Sequence, residues 1–130
     1  MSQYTSLPTK PISQSLILFG YAQDIEAQVA FYRDYLQFSV ARDQGDCIIL
    51  RAANAAYLGF CRRPGKTIDP NSVIITLVRD DVDDVYSHFM QNGIEAAPPV
   101  LNEKYAIYHF FVRDPAGYLV EVQKFLQPLD

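Results

Sequence analysis

Two kinds of hydrophobic pattern alternate along this chain. The run SLILFGYA, from Ser15 to Ala22, is apolar without interruption, as expected of a strand covered on both faces. Directly after it, Asp24 can cap a helix whose apolar positions Ile25, Val29, Tyr32 and Leu36 recur at helical spacing. Three short segments follow, around FSVARD, CIILRA and AYLGFCRR, and each reads as a strand. The predicted order is strand, helix, strand, strand, strand.

After the breaker-rich stretch PGKTIDPN the same order returns, which marks an internal repeat. SVIITLVRD is again a strand. Asp80 or Asp81 can cap a helix carrying Val82, Val85, Tyr86 and Phe89, and Gly93 sits where a helix terminator belongs. IEAAPPV, YAIYHFFVR and GYLVEVQKF complete the second unit, with Pro98 and Pro99 restricting the first of them to an edge or bulged strand. Ser15, Ile17 and Asp24 match Ser72, Ile74 and Asp81 at one offset. AAYLGFCRR matches AGYLVEVQK at a slightly larger one, which aligns Tyr57 and Leu58 with Tyr118 and Leu119 and sets Phe60 opposite Glu121. The chain therefore divides into an aperiodic N-terminal arm (1–14), a first βαβββ module (15–66), a linker (67–71) and a second module (72–127). At 130 residues the two modules form one structural domain.

Composition narrows the function classes. A net charge of −4, with Arg62, Arg63 and Lys66 as the only basic cluster, argues against a nucleic-acid or anionic-membrane surface, which needs clustered cations. No stretch is long and apolar enough to cross a bilayer, and the opening MSQYTSLPTKPISQ lacks the pattern of a secretory signal, so a cytoplasmic location is expected. Cys47 and Cys61 do not form a CxxC motif. In a reducing compartment they are expected to stay unpaired as small, partly buried hydrophobes. Two cysteines and two histidines leave little material for a zinc site.

Three segments carry a family resemblance. DIEAQVAFYRDYLQF resembles the helix signature of the vicinal oxygen chelate superfamily, which includes glyoxalase I, bleomycin-resistance proteins and extradiol dioxygenases. RDPAGYLVEV resembles its closing hairpin and DDVDDVYSHFMQNGI its second helix, so the similarity runs from Ser15 to Phe125. The resemblance implies an α+β fold in which two βαβββ repeats form a curved, cavity-enclosing mixed sheet with the helices outside, often assembled as a dimer. It also implies a divalent metal held by His, Gln or Glu from the first and last strands of each unit. Carried over, those positions fall at Ile17, Phe60, Ile74 and Glu121. Three are hydrocarbon side chains, and one carboxylate does not hold a divalent ion against water. No metal and no other cofactor is therefore expected.

Strand alternation then selects the cavity side chains. If Glu121 faces the cavity, Leu119 and Gln123 do too, while Val120 and Val122 pack under the helices. On the partner strand the choice lies between His109 with Phe111, favoured by the family hairpin, and Tyr108 with Phe110. The other strands offer Ile17, Phe19 and Tyr21, then Leu58, Phe60 and Arg62, then Ile74, Thr76 and Val78. The candidate ligand-binding set is Phe19, Tyr21, Phe60, Arg62, Thr76, His109, Phe111 and Glu121, apolar walls with a few polar groups. Glu121 has a second reading as a carboxylate satisfied by a tyrosine hydroxyl or by Arg62, and His109 as a hydrogen-bonded wall residue.

The function that follows is metal-free binding of a small apolar or aromatic molecule by a homodimer. One alternative is a metal-dependent lyase or dioxygenase, with Glu121 and His109 as catalytic residues. The other is a non-catalytic structural or interaction module whose cavity is filled by its own side chains.

Overall fold

In the computed structural model, which describes residues 12–129, each half of the chain forms a parallel pair and an antiparallel meander around one helix. Most of the expected N-terminal arm lies outside the described residues. The first half comprises β1 (Leu16–Tyr21), α1 (Ile25–Ala30), β2 (Ser39–Asp43), β3 (Cys47–Ala53) and β4 (Ala56–Cys61). The second comprises β5 (Ile74–Val78), α2 (Val82–Gln91), β6 (Val100–Asn102), β7 (Ile107–Arg113) and β8 (Leu119–Phe125). The strand orders are β1-β4-β3-β2 and β5-β8-β7-β6, the same topology twice.

The helix ends follow from local chemistry. Asp24 accepts a hydrogen bond from the Ala27 amide at 3.0 Å and starts α1, which widens into a π-helical turn over Phe31–Tyr35. Asp81 precedes α2, but its carboxylate is held by the Arg79 guanidinium at 2.7 Å through both oxygens, so no side chain caps that helix. Gly93, at φ +74°, closes α2: its amide bonds to the Met90 carbonyl and the Ile94 amide to that of Phe89.

Both modules contribute to one core. Leu50, Leu58 and Phe60 lie under the first helix, and Phe110, Val112, Val120 and Val122 under the second. Phe31 stacks on Phe89 with ring centroids 6.0 Å apart, and Phe60 meets Tyr118 at 6.0 Å. A buried polar network crosses the same junction. Asp114, in the turn before β8, accepts from Gln28 Nε2 at 2.6 Å, from the Tyr32 hydroxyl at 2.7 Å and from the Tyr118 amide at 2.9 Å. Gln28 Oε1 accepts in return from the Ala116 amide. The Tyr118 hydroxyl donates to the Tyr21 carbonyl and accepts from the Tyr21 amide, which fixes the end of β1.

Several expectations are corrected. The two four-stranded sheets do not close into one cavity-enclosing sheet. β1 is an edge strand with open faces rather than a covered one: Leu16 is 67% and Leu18 51% exposed. IEAAPPV forms a strand only from Val100, because its two prolines cannot donate to a ladder. Cys47 and Cys61 are joined as a disulfide, since they face each other directly across β3 and β4 with Cα atoms 4.0 Å apart. Their separation of 14 residues gives no sign of that pairing; only the register does.

Phe60 and Leu58 are also misplaced by the sequence reading. In the structure Ile17 pairs with Tyr57 while Ile74 pairs with Leu119, so Gly59, and not Phe60, is the counterpart of Glu121. A shift of one residue exchanges the two faces of a strand, and Phe60 stacks against Tyr32 in the core with Leu58 beside it.

The Asp114 network yields a stability prediction. Asp114→Ala leaves two side-chain donors and an amide without an acceptor and should cost about 3 kcal/mol in urea unfolding, at roughly 1–3 kcal/mol per buried orphan. Burial pushes the Asp114 carboxyl above the usual carboxylate range, against the lowering effect of its Tyr32 and Gln28 hydrogen bonds. A folded-state value above the unfolded one contributes stability below the unfolded value and loses it as pH rises through the raised one. Wild-type stability should therefore carry a falling segment just above the ordinary aspartate range, and Asp114→Asn should lack it. An unchanged pH profile in that variant would refute the assignment.

Candidate functional site

The second sheet gathers polar side chains on the face away from its helix. In parallel register Thr76 of β5 lies opposite Glu121 of β8, and in antiparallel register Phe111 of β7 lies opposite Glu121 and His109 opposite Gln123. His109 is thus a diagonal neighbour of Glu121, within reach of a side-chain contact. Glu121 is only 8% exposed, yet its carboxylate is fully engaged. The Thr76 hydroxyl donates to Oε1 at 2.8 Å, and His109 Nδ1 lies 2.5 Å from Oε2. With its amide nitrogen turned toward the carboxylate, Gln123 donates at 2.8 and 3.0 Å.

Glu121, His109 and Gln123 sit in the floor of an open cavity of about 580 Å³. Its walls are Ile74, Ile107, Phe111 and Phe125, with Asn102 and Tyr105 at the β6–β7 end. The imidazole of His109 meets the Phe111 ring edge-on, centroids 5.0 Å apart. A smaller cleft of about 280 Å³, bounded by Tyr21, Asp24, Lys66 and Pro115, has no comparable convergence of buried polar groups.

The corresponding face of the first sheet has a different make-up. Phe19 occupies the place of Thr76 and Gly59 that of Glu121. The Phe19 ring lies against Gly59, so close that a Cβ there would meet it at 2.5 Å. Beside it is a cavity of about 480 Å³ that includes Ile17, Ile49, Arg42, Arg51 and Tyr57, with the Arg51 guanidinium 4.8 Å from the Tyr57 ring centre.

Of the residues singled out by sequence, the structure brings Thr76, His109, Phe111 and Glu121 together. Phe19 belongs to the other sheet. Tyr21, at the end of β1, borders the small cleft, and Phe60 is in the core. Arg62 lies beyond β4, 3.8 Å from Glu26 and on the sheet without Glu121. The alternatives Tyr108 and Phe110 point elsewhere, Tyr108 to Asp83 and Phe110 into the core. Asn102, Tyr105, Ile107 and Phe125 were not identified from sequence. Phe125 was accessible, since it continues the alternation of Glu121 and Gln123; Tyr105 was not, because the Asn102 side chain turns the backbone there by accepting from its amide.

The donor set does not fit a divalent metal. Among the described residues no three His, Cys, Asp or Glu side chains come together as ligands. In the floor of the second-sheet cavity Glu121, His109 and Gln123 carry ligand-capable atoms, and His109 and Gln123 each spend a donor on Glu121. Ile74, Phe19 and Gly59 offer no side-chain electron pair at the neighbouring or duplicated positions.

The comparisons agree with this architecture. A lactoylglutathione lyase structure from Agrobacterium tumefaciens superposes with a TM-score of 0.71 at 23% identity, over 88% of this chain and 96% of that one. A bleomycin resistance determinant encoded on the transposon Tn5 gives 0.70 at 21% identity, over 88% and 100%. A glyoxalase/bleomycin resistance protein/dioxygenase from Nocardioides gives 0.74 at 18% identity, over 98% and 90%. At these identities the likeness is one of fold. No curated protein matches the sequence. The family model Glyoxalase/Bleomycin resistance protein/Dioxygenase superfamily matches residues 18–122, most of the chain, and the protein belongs to that superfamily.

Proposed function

We propose that the chain binds a small, largely apolar or aromatic molecule on the open face of its second sheet, without a metal. The supporting observation is the cavity of about 580 Å³, walled by aliphatic and aromatic groups, over a carboxylate already satisfied by protein donors. Apolar walls supply affinity and a few fixed polar groups supply orientation. Burying one aromatic ring removes roughly 150 Å² from water, a gross gain of about 4 kcal/mol before association costs. Binding of a single-ring probe is therefore weak, with Kd about millimolar at best.

A second copy of the chain completes this reading. Among the described residues, Leu16, Ile17, Leu18, Phe19, Ile74 and Val78 expose apolar surface along β1 and β5, a feature of interaction surfaces. An isologous dimer covers such strands and deepens the cavities beside them.

Three measurements test the proposal. Titration with toluene and with phenol should give saturable NMR shifts at His109 and Phe111; no saturable shift with either up to its solubility limit sinks the binding reading. Protein purified without chelators should hold far less than one equivalent of any divalent metal. A stoichiometric ion that is lost in Glu121→Gln points instead to the metal-dependent enzyme. Sedimentation at micromolar concentration should report twice the chain mass of 14.8 kDa, whereas a single-chain mass at all concentrations removes the dimer.

A further inference from the structure

We infer that His109 Nε2 is the recognition atom of the second-sheet cavity and selects neutral aromatic ligands that carry a hydrogen-bond donor, phenols above all. The inference rests on the binding reading above and names the ligand class that the site prefers. An ionised carboxylate only accepts hydrogen bonds, so the Nδ1 that lies 2.5 Å from Glu121 Oε2 carries the imidazole proton. At a pH where the imidazole carries a single proton, Nε2 is then an acceptor. It has no partner among the described residues. No buried side-chain nitrogen or oxygen there lacks a partner, so Nε2 reaches the open surface of the cavity.

The surroundings fix what can use that lone pair. Glu121 cannot rotate freely, because Thr76 and Gln123 hold it from two sides, and it holds His109 in turn. Phe111 packs against the imidazole edge, and Ile74 and Phe125 complete an apolar wall for a ring. A phenol laid on that wall can donate its hydroxyl to Nε2. Anisole and toluene cover the same wall but leave Nε2 dehydrated without a partner, the costly half of the hydrogen-bond asymmetry. A carboxylate brings an acceptor to an acceptor, beside the negative charge of Glu121. Glu121 is thus a positioning residue, and His109 makes the contact.

Calorimetric titration with phenol, anisole, toluene and benzoate separates this from the broader proposal. Phenol should bind roughly tenfold more tightly than anisole or toluene, about one hydrogen bond's worth, and benzoate more weakly than any of them. His109→Phe should lose the phenol preference, so that phenol and toluene bind the variant with similar affinity. Equal affinity for phenol and anisole overturns the inference and leaves apolar binding standing; failure of phenol, anisole and toluene alike overturns both. A second readout needs neither ligand nor variant. Nitrogen-15 NMR of the wild-type protein near neutral pH should show His109 protonated at Nδ1 and bare at Nε2, the tautomer that free histidine disfavours, with Glu121→Leu reverting it. A wild-type ring protonated at Nε2 overturns the assignment.

Discussion

The contact on which the rest depends is made by one buried carboxylate at the junction of the two repeats. Asp114 belongs to the second repeat, yet two of its donors, Gln28 and Tyr32, come from the helical segment of the first. Its third donor is the Tyr118 amide, on the residue preceding β8. The network therefore joins two modules whose strands form separate sheets, and it also sets where the last strand begins. Once Leu119 opens β8 opposite Ile74, alternation alone brings Glu121 out on the open face and Val120 and Val122 into the core. A polar group in the wall between modules thus determines, a few residues later, which side chain meets the open cavity.

The repeats share topology and have diverged in chemistry. At matching positions one sheet carries Thr76 and Glu121 and the other Phe19 and Gly59. Glycine in the first sheet is what lets an aromatic ring lie directly on the strand, since a side chain at that point has no room. One face is consequently polar at its floor, with a negative charge held by neutral donors. The other is hydrophobic at the same point, with arginines at its margin.

Element order was legible in the sequence because period and caps are local properties. Register was not. The identity of Tyr57 with Tyr118 invited an alignment in which Phe60 faces the cavity, but Tyr118 lies before its strand and spends its hydroxyl on the backbone of Tyr21. An error of one residue then inverted a whole face. The disulfide was hidden for the same reason, as it depends on which residues of β3 and β4 stand opposite. Gln28 could have been suspected, because it shares the stripe of Ile25, Val29 and Tyr32; what it bonds to lies 86 residues away and has no sequence signal. The apolar character of β1 was plain, but a hydrophobic run states that a strand wants cover and not what provides it.

The hydrogen bonds around Glu121 decide how it can act. A carboxylate used as a metal ligand or as a base must present at least one oxygen with a free electron pair. Here both oxygens accept from protein, and hydrogen bonds to a charged group are worth roughly 1.5–3 kcal/mol each. Pulling the carboxylate away from Thr76, His109 and Gln123 would forfeit several such bonds and leave the buried donors of His109 and Gln123 unmatched. Turning the arrangement outward costs nothing: Glu121 keeps its partners and orients a ring whose far nitrogen is available. Acceptor strength at the cavity thus passes from the carboxylate to the imidazole, and the superfamily's ligand position becomes a support for the residue next to it.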